Sequence, residues 1–168
     1  VNAGDIGAPV DLHVAYRAEY AADPDLPFSW RYDRALAGGG AIVDLGAHAV
    51  DLALALCGPL TRVVGAQQST VIRERHLPRT AASGHARADL GDELRSVDTD
   101  DAFSALVAFD GGCRGLLSAS RVAIGYGNAL ACEVSGIAGS IRFDSERPNS
   151  YDVALRSPGT ASHFQRVN

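Results

Sequence analysis

The stretch Gly38–Asp51, GGGAIVDLGAHAVD, decides the reading of this chain, because it threads an aspartate and a histidine through an otherwise apolar helix. Asp44 and His48 are four residues apart and fall on one helical stripe. Ile42, Leu45, Ala49, Leu52 and Leu56 form an apolar stripe, and Val43, Ala47, Val50 and Leu54 largely cover the other side, the pattern of a buried helix. Burying ionisable groups without partners costs roughly several kcal/mol, so Asp44, His48 and Asp51 demand mutual hydrogen bonds, a ligand or a cleft.

From spacing alone, two readings of this pair stand side by side. In one, His48 exchanges a proton with a hydroxyl or carbonyl, while Asp44 orients it or holds a substrate hydroxyl. In the other, the two form a purely structural hydrogen-bond network. A metal site is a weaker third reading. Asp44, His48 and Asp51 follow D-x3-H-x2-D, but no further cluster at ligand spacing accompanies them, so no metal is expected. The triple glycine offers either an anion-binding nest at a helix N-terminus or tight turning against neighbouring backbone. It is not GxGxxG and follows no clear parallel strand, so it is no dinucleotide fingerprint. Gly46 costs about 1 kcal/mol relative to alanine inside a helix and points to close approach by another backbone or a ligand.

Outward from the helix, Leu12, Val14, Tyr16 and Ala18 alternate with His13, Ala15, Arg17 and Glu19, which predicts a half-exposed strand. The loop ADPDLPFSW delivers Trp30 and Arg31, either a stacking platform with a fork for phosphate or carboxylate, or a packed tryptophan beside a solvated arginine. A short helical turn follows Asp33, and Cys57-Gly58-Pro59 ends the apolar helix. Thr61 to Ile72 reads as another strand. Residues 73–98 are polar and charged, with Pro78, Gly84 and Gly91, and predict a long surface loop or disordered segment with a solvated face. Further on, DAFSALVAFD and CRGLLSASRVAI flank Gly111-Gly112, and NALACEVSG and GSIRFD flank Ile137-Ala138, giving two hairpins. Arg121, Tyr126 and Asn128 lie beyond a strand end, where polar groups face a cleft or simply occupy a loop. Strand-rich sequence around one buried helix predicts an α+β fold: a single domain over 1–168 with an open, largely antiparallel sheet and helices packed on one face.

Composition narrows the function classes. The 168 residues suffice for one proper core. A net charge of −5 argues against nucleic acid or anionic membrane as partners. No apolar run reaches the length of a spanning helix and no signal-peptide pattern opens the chain, so a cytoplasmic location is expected. Cys57, Cys113 and Cys132 are odd in number and form no CxxC, which fits reduced thiols. All 15 basic residues are arginine, so no Schiff base, P-loop lysine or lysine general acid comes from this chain. The absence of methionine leads us to expect a piece of a longer protein.

Trp30-Arg31, then AGGGAIVDLGAHAVDLALALCGP, SRVAIGYGN and VSGIAGSIRFDSERPN together resemble the C-terminal domain of the Gfo/Idh/MocA oxidoreductases, over about residues 5–155. The resemblance implies a two-domain enzyme. Its N-terminal Rossmann domain would bind NAD or NADP, and a C-terminal domain of the glyceraldehyde-3-phosphate dehydrogenase type would bind substrate. It implies hydride exchange with a secondary hydroxyl of a sugar or polyol, inositol-like or related, with Asp44 and His48 as the catalytic pair. Trp30 and Arg31 would reach toward the cofactor or the substrate, Arg121, Tyr126 and Asn128 toward the substrate, and homo-oligomers would form through the sheet face. The family's catalytic lysine, usually in an EKP motif, has no counterpart here, so this chain by itself is expected to be inactive. A non-catalytic sugar-binding or oligomerisation module is the alternative. The family also leads one to expect a final helix packing back after the last strand, and hence a truncated end at Asn168.

Overall fold

A computed structural model describes residues 4–80 and 87–168. Its first strand, β1 (Pro9–Ala18), is followed by a 3-10 turn at Trp30–Tyr32, then by α1 (Arg34–Ala37), α2 (Ala41–Asp44) and α3 (Gly46–Cys57). The remaining strands are β2 (Leu60–Ser69), β3 (Glu74–Pro78), β4 (Leu90–Ser96), β5 (Ala102–Phe109), β6 (Arg114–Ser120), β7 (Asn128–Gly136), β8 (Gly139–Asp144), β9 (Tyr151–Leu155) and β10 (Gln165–Val167). Eight of them form an open sheet in the order β10-β9-β8-β7-β1-β6-β5-β2. Every neighbouring pair is antiparallel except β1 and β6, which run parallel. The two hairpins read from the sequence are β5–β6 and β7–β8.

Period-two alternation decides which face is covered. Leu12, Val14 and Ala18 are buried while His13 is exposed. On the covered face Leu12 and Val14 join Phe103, Val107, Leu117, Ala119 and Val134, and Ala49 and Ala53 of α3 close the core over them. Small residues on the helix let it sit close to the sheet. At Gly46 the approach is closest, since a Cβ there would lie 2.5 Å from Phe103 Cε1. The close neighbour anticipated at Gly46 is therefore an aromatic ring, not a backbone or a ligand.

The apolar segment departs from expectation in two ways. It breaks at Leu45, with a bend of 44° between Arg34–Asp44 and Gly46–Cys57. It is also not buried all round: Val43 is 51% exposed and Leu54 40%. The covered stripe is Leu45, Ala49 and Ala53, and the opposite apolar stripe faces outward. No single helix among the described residues is long and apolar enough to cross a membrane.

The glycine run resolves into both of its readings at once. A Cβ at Gly40 would lie 1.8 Å from the Asp100 carbonyl oxygen, so the chain turns tightly against backbone. The nest also holds an anion, and it is the chain's own. The buried Asp100 carboxylate accepts from Gly40 N at 2.9 Å and Ile42 N at 2.8 Å, while Asp100 O accepts from Ala41 N at 2.9 Å. These bonds satisfy backbone donors that the start of α2 leaves free.

Within 73–98, Glu74–Pro78 and Leu90–Ser96 are strands where a loop is expected. β3 and β4 pair as an antiparallel ribbon, and residues 81–86 lie outside the described residues. The charges misled because arginines serve as packing groups here. Arg75 is 1% exposed and donates to Ala21 O at 2.6 Å, Asp23 O at 2.8 Å and Leu26 O at 3.2 Å. Its guanidinium lies 4.3 Å from the Tyr32 ring centre, and that of Arg95 lies 4.7 Å from Phe28. Burial lowers the pKa of Arg75. The three cysteines carry free thiols, with Cys57 and Cys113 Sγ 3.3 Å apart. Burial and the Cys113 thiol push Cys57 up to about 12. After β9 the chain forms the short strand β10.

At that edge Arg142, Arg166 and Arg147 converge on Asp152 at 3.1, 3.1 and 3.5 Å. Burial opposes ionisation of Asp152, but the arginine bonds and charges prevail and hold its carboxyl below the ordinary aspartate range. A depressed folded-state pKa stabilises the fold above the unfolded value near 4 and ceases to do so as pH falls through the folded value. Hydrogen exchange in β9 and β10, corrected for intrinsic rates, should therefore rise in acid before exchange in α3 does. Gly40→Ala should destabilise by roughly 3 kcal/mol in a denaturant titration, because Asp100 backbone blocks the added methyl.

Candidate functional site

Trp30, Arg31, Asp44, Ala47, His48 and Arg121 line a cleft of about 230 Å³ where α2 and α3 meet the 3-10 turn. A larger hollow of about 420 Å³, lined by His13, Arg17, Glu133 and Arg142 among others, lies on the uncovered face of the sheet. The smaller cleft is the candidate site, because it gathers the carboxylate, the imidazole and a half-exposed aromatic ring.

Asp44 ends α2 and is 42% exposed. Its Oδ2 accepts from Tyr20 Oη at 2.5 Å and more distantly from Arg31 Nη1 at 3.4 Å. Tyr20 follows the end of β1. Burial, and then the bond to the Asp44 carboxylate and its charge, push the Tyr20 phenol far above its ordinary range, so it stays protonated and donates. His48, one turn further along and exposed, packs edge-on to Tyr16 with ring centres 5.7 Å apart. No hydrogen bond to the His48 side chain occurs among the described residues. Asp44 and His48 thus share a stripe and a cleft without bonding to each other, and the partners of Asp44 are Tyr20 and Arg31.

Trp30 is 49% exposed, and the Arg31 guanidinium stacks 4.6 Å from its ring centre. Arg31 Nε is buried without a partner. The Arg31 backbone is fixed from behind: its carbonyl accepts from Thr99 Oγ1 at 3.1 Å and Arg121 Nη1 at 3.4 Å. Arg121 is 2% exposed and its guanidinium is committed to the frame, with Nε donating to Asp101 Oδ1 at 2.8 Å and Nη2 to Thr99 Oγ1 at 2.9 Å. Asp101 Oδ2 in turn accepts from Val71 N at 2.7 Å and Ile72 N at 3.0 Å, which ends β2 at Ser69.

Of the three residues expected beyond the end of β6, only Arg121 reaches the cleft wall. Tyr126 packs against Arg17 at 5.3 Å and Asn128 pairs with Ala18 at the start of β7; neither lines the cleft. The intervening loop is tied instead to the end of β1, by Ala123 N to Ala18 O at 2.9 Å and Gly125 N to Glu19 Oε2 at 2.8 Å. Asp51 lies on α3 and does not line the cleft. No group of three or more His, Cys, Asp or Glu able to hold a metal occurs among the described residues. Sequence reasoning missed Tyr20, Thr99, Asp100 and Asp101. One signal was present: the β5–β6 register pairs Ala102 with Ser120, so the next residues across the hairpin are Asp101 and Arg121.

The family model for the GFO/IDH/MocA C-terminal domain matches residues 1–142. Among curated proteins, levoglucosan dehydrogenase of Pseudarthrobacter phenanthrenivorans is 34% identical over 158 residues, covering 94% of this chain and 40% of the relative. The apo structure of levoglucosan dehydrogenase matches with a TM-score of 0.88 at 35% identity, covering 99% of this chain and 42% of that one. Its complex with NADH and L-sorbose matches at 0.85 and 31% identity, covering 99% and 41%. An NAD binding oxidoreductase from Klebsiella pneumoniae matches at 0.85 and 36% identity, covering 98% and 41%. The chain therefore spans about two fifths of the length of these relatives. On the strength of a matching domain model, a curated relative and an open sheet that superposes on theirs, this chain belongs to the GFO/IDH/MocA family as its C-terminal domain.

Proposed function

We propose that the whole protein carrying this chain is a cytoplasmic, NAD- or NADP-dependent dehydrogenase acting on a secondary hydroxyl of a sugar or polyol. The observation that carries this reading is the pair Asp44 and His48, both open to one cleft and unbonded to each other. A carboxylate beside a free imidazole suits a hydroxyl that must be held and deprotonated. Asp44 accepts the hydrogen bond that orients the hydroxyl, and His48 takes its proton and passes it to solvent through its exposed edge. The relatives support the sugar class, since one of them is crystallised with NADH and L-sorbose and again with NADH and levoglucosan.

The cofactor fits this chain only as a neighbour. Trp30 offers a half-exposed flat ring and Arg31 a cation beside it, which suit a planar, anionic dinucleotide at the mouth of the cleft. Neither GxGxxG nor a lysine is present. Most contacts, and the lysine that the family resemblance implies, would then come from an N-terminal Rossmann domain outside this sequence. When bound, the nicotinamide supplies the redox chemistry; the residues here position the substrate and handle its proton. The exposed apolar stripe of Val43, Val50 and Leu54 beside the cleft suits a covering domain. The uncovered sheet face, where Leu106 is 54% exposed, suits a second copy in a homo-oligomer.

In the full-length protein, His48→Ala should lower kcat for levoglucosan oxidation by about 100-fold or more, with NADH affinity little changed, as steady-state kinetics and fluorescence titration would show. Unchanged turnover across pH would remove the proton-handling role. This chain expressed by itself should give no turnover, and measurable turnover by it would overturn the division of labour proposed here.

A further inference from the structure

Asp44 is held from one side only. A carboxylate has two oxygens and about four lone-pair sites, yet both of its protein donors, Tyr20 Oη and Arg31 Nη1, reach Oδ2. Oδ1 has no partner among the described residues. The two donors are also unequal: 2.5 Å lies in the short range of an O–H bond to a carboxylate, whereas 3.4 Å exceeds a normal N–H···O distance. Tyr20 is therefore the principal restraint on a half-exposed carboxylate in a four-residue helix.

Tyr20 is itself tied to the buried frame. The amide of the next residue, Ala21, donates to the Arg121 carbonyl at 3.0 Å, and Ala22 N closes a turn onto Glu19 O at 2.9 Å. We propose that Tyr20 is a positioning residue, clamping Asp44 Oδ2 together with Arg31 so that Oδ1 is the oxygen presented to the substrate hydroxyl. This rests on the reading of the cleft as a dehydrogenase site. The charged and titratable groups around Asp44 are Tyr20 at the end of β1, Arg31 on the 3-10 turn, Arg121 at the end of β6 and His48 on α3. Tyr20→Phe removes one hydroxyl and leaves the other three in place.

In the full-length protein, Tyr20→Phe should lower kcat for levoglucosan about tenfold, with KM within about twofold. An independent readout is the carboxylate carbon-13 resonance of Asp44 at fixed neutral pH, followed in labelled aspartate and assigned with Asp44→Asn. That resonance should shift in Tyr20→Phe, which removes the short hydrogen bond to Oδ2. If that variant folds poorly, a fluorotyrosine installed at position 20 keeps the ring's shape while making the phenol a stronger donor, and the resonance should then shift in the opposite direction. An Asp44 resonance that moves with neither change overturns the clamp, whatever the activity. Unchanged turnover in Asp44→Asn would instead overturn the dehydrogenase reading on which the clamp's function rests, so the two failures separate.

Discussion

The Asp101–Arg121 ion pair, 1% and 2% exposed at 2.8 Å, is the constraint from which the site is built. Two charges taken this far from water are tolerable only when their remaining donors and acceptors are also satisfied. That condition is met in a particular way. Arg121 spends its other nitrogens on Thr99 Oγ1 and on the Arg31 carbonyl, and Asp101 spends its second oxygen on the amides of Val71 and Ile72. Each bond that makes the pair tolerable therefore fixes a different segment. Removing one partner of such a pair costs about 3–5 kcal/mol, because the other charge stays buried and unpaired. Tyr32 tightens the arrangement, lying between Arg75 at 4.3 Å and Arg121 at 5.0 Å.

Two adjacent aspartates divide the work by pointing opposite ways, as successive residues of extended chain do. Asp101 turns toward Arg121 and the end of β2. Asp100 turns toward the glycine run and caps α2. The start of the helix and the strand ends are thereby held by consecutive residues, which fixes where Asp44 stands relative to Arg31 and Tyr20. Gly40 serves this purpose, since a side chain there would collide with Asp100 backbone.

Much of this was legible in the sequence, and the exceptions share a cause. Alternation in Leu12–Ala18 and the glycine-centred hairpins gave the sheet its main strands, because period two and turn residues are local signals. The D-x3-H spacing marked the cleft for the same reason. What failed depended on residues far apart in sequence. Burial of Arg75 against Tyr32 is invisible in a segment that reads as charged, so from sequence β3 and β4 read as loop. Arg121 reads equally as a cleft or a loop residue because its buried partner Asp101 is 20 residues away, and Tyr20 carries no local signal because its partner Asp44 is 24 residues away. The outward apolar stripe of α3 misled in the opposite sense: it resembles a core face and is exposed.

That exposure bears on how the site works. In an open cleft the fields of Asp44, Arg31 and His48 are weakened by water, and an interaction at 4 Å worth about 4 kcal/mol at a protein surface falls to about 1 kcal/mol in bulk solvent. On the reading proposed above, a domain laid over Val43, Val50 and Leu54 would bury apolar surface at the rim of the cleft and exclude water from it in the same motion. The apolar stripe and the polar cleft are then two halves of one requirement. The Asp101–Arg121 frame already fixes Arg31 at the cleft; on that reading the covering domain both dries the cleft and adds the cofactor contacts and the lysine.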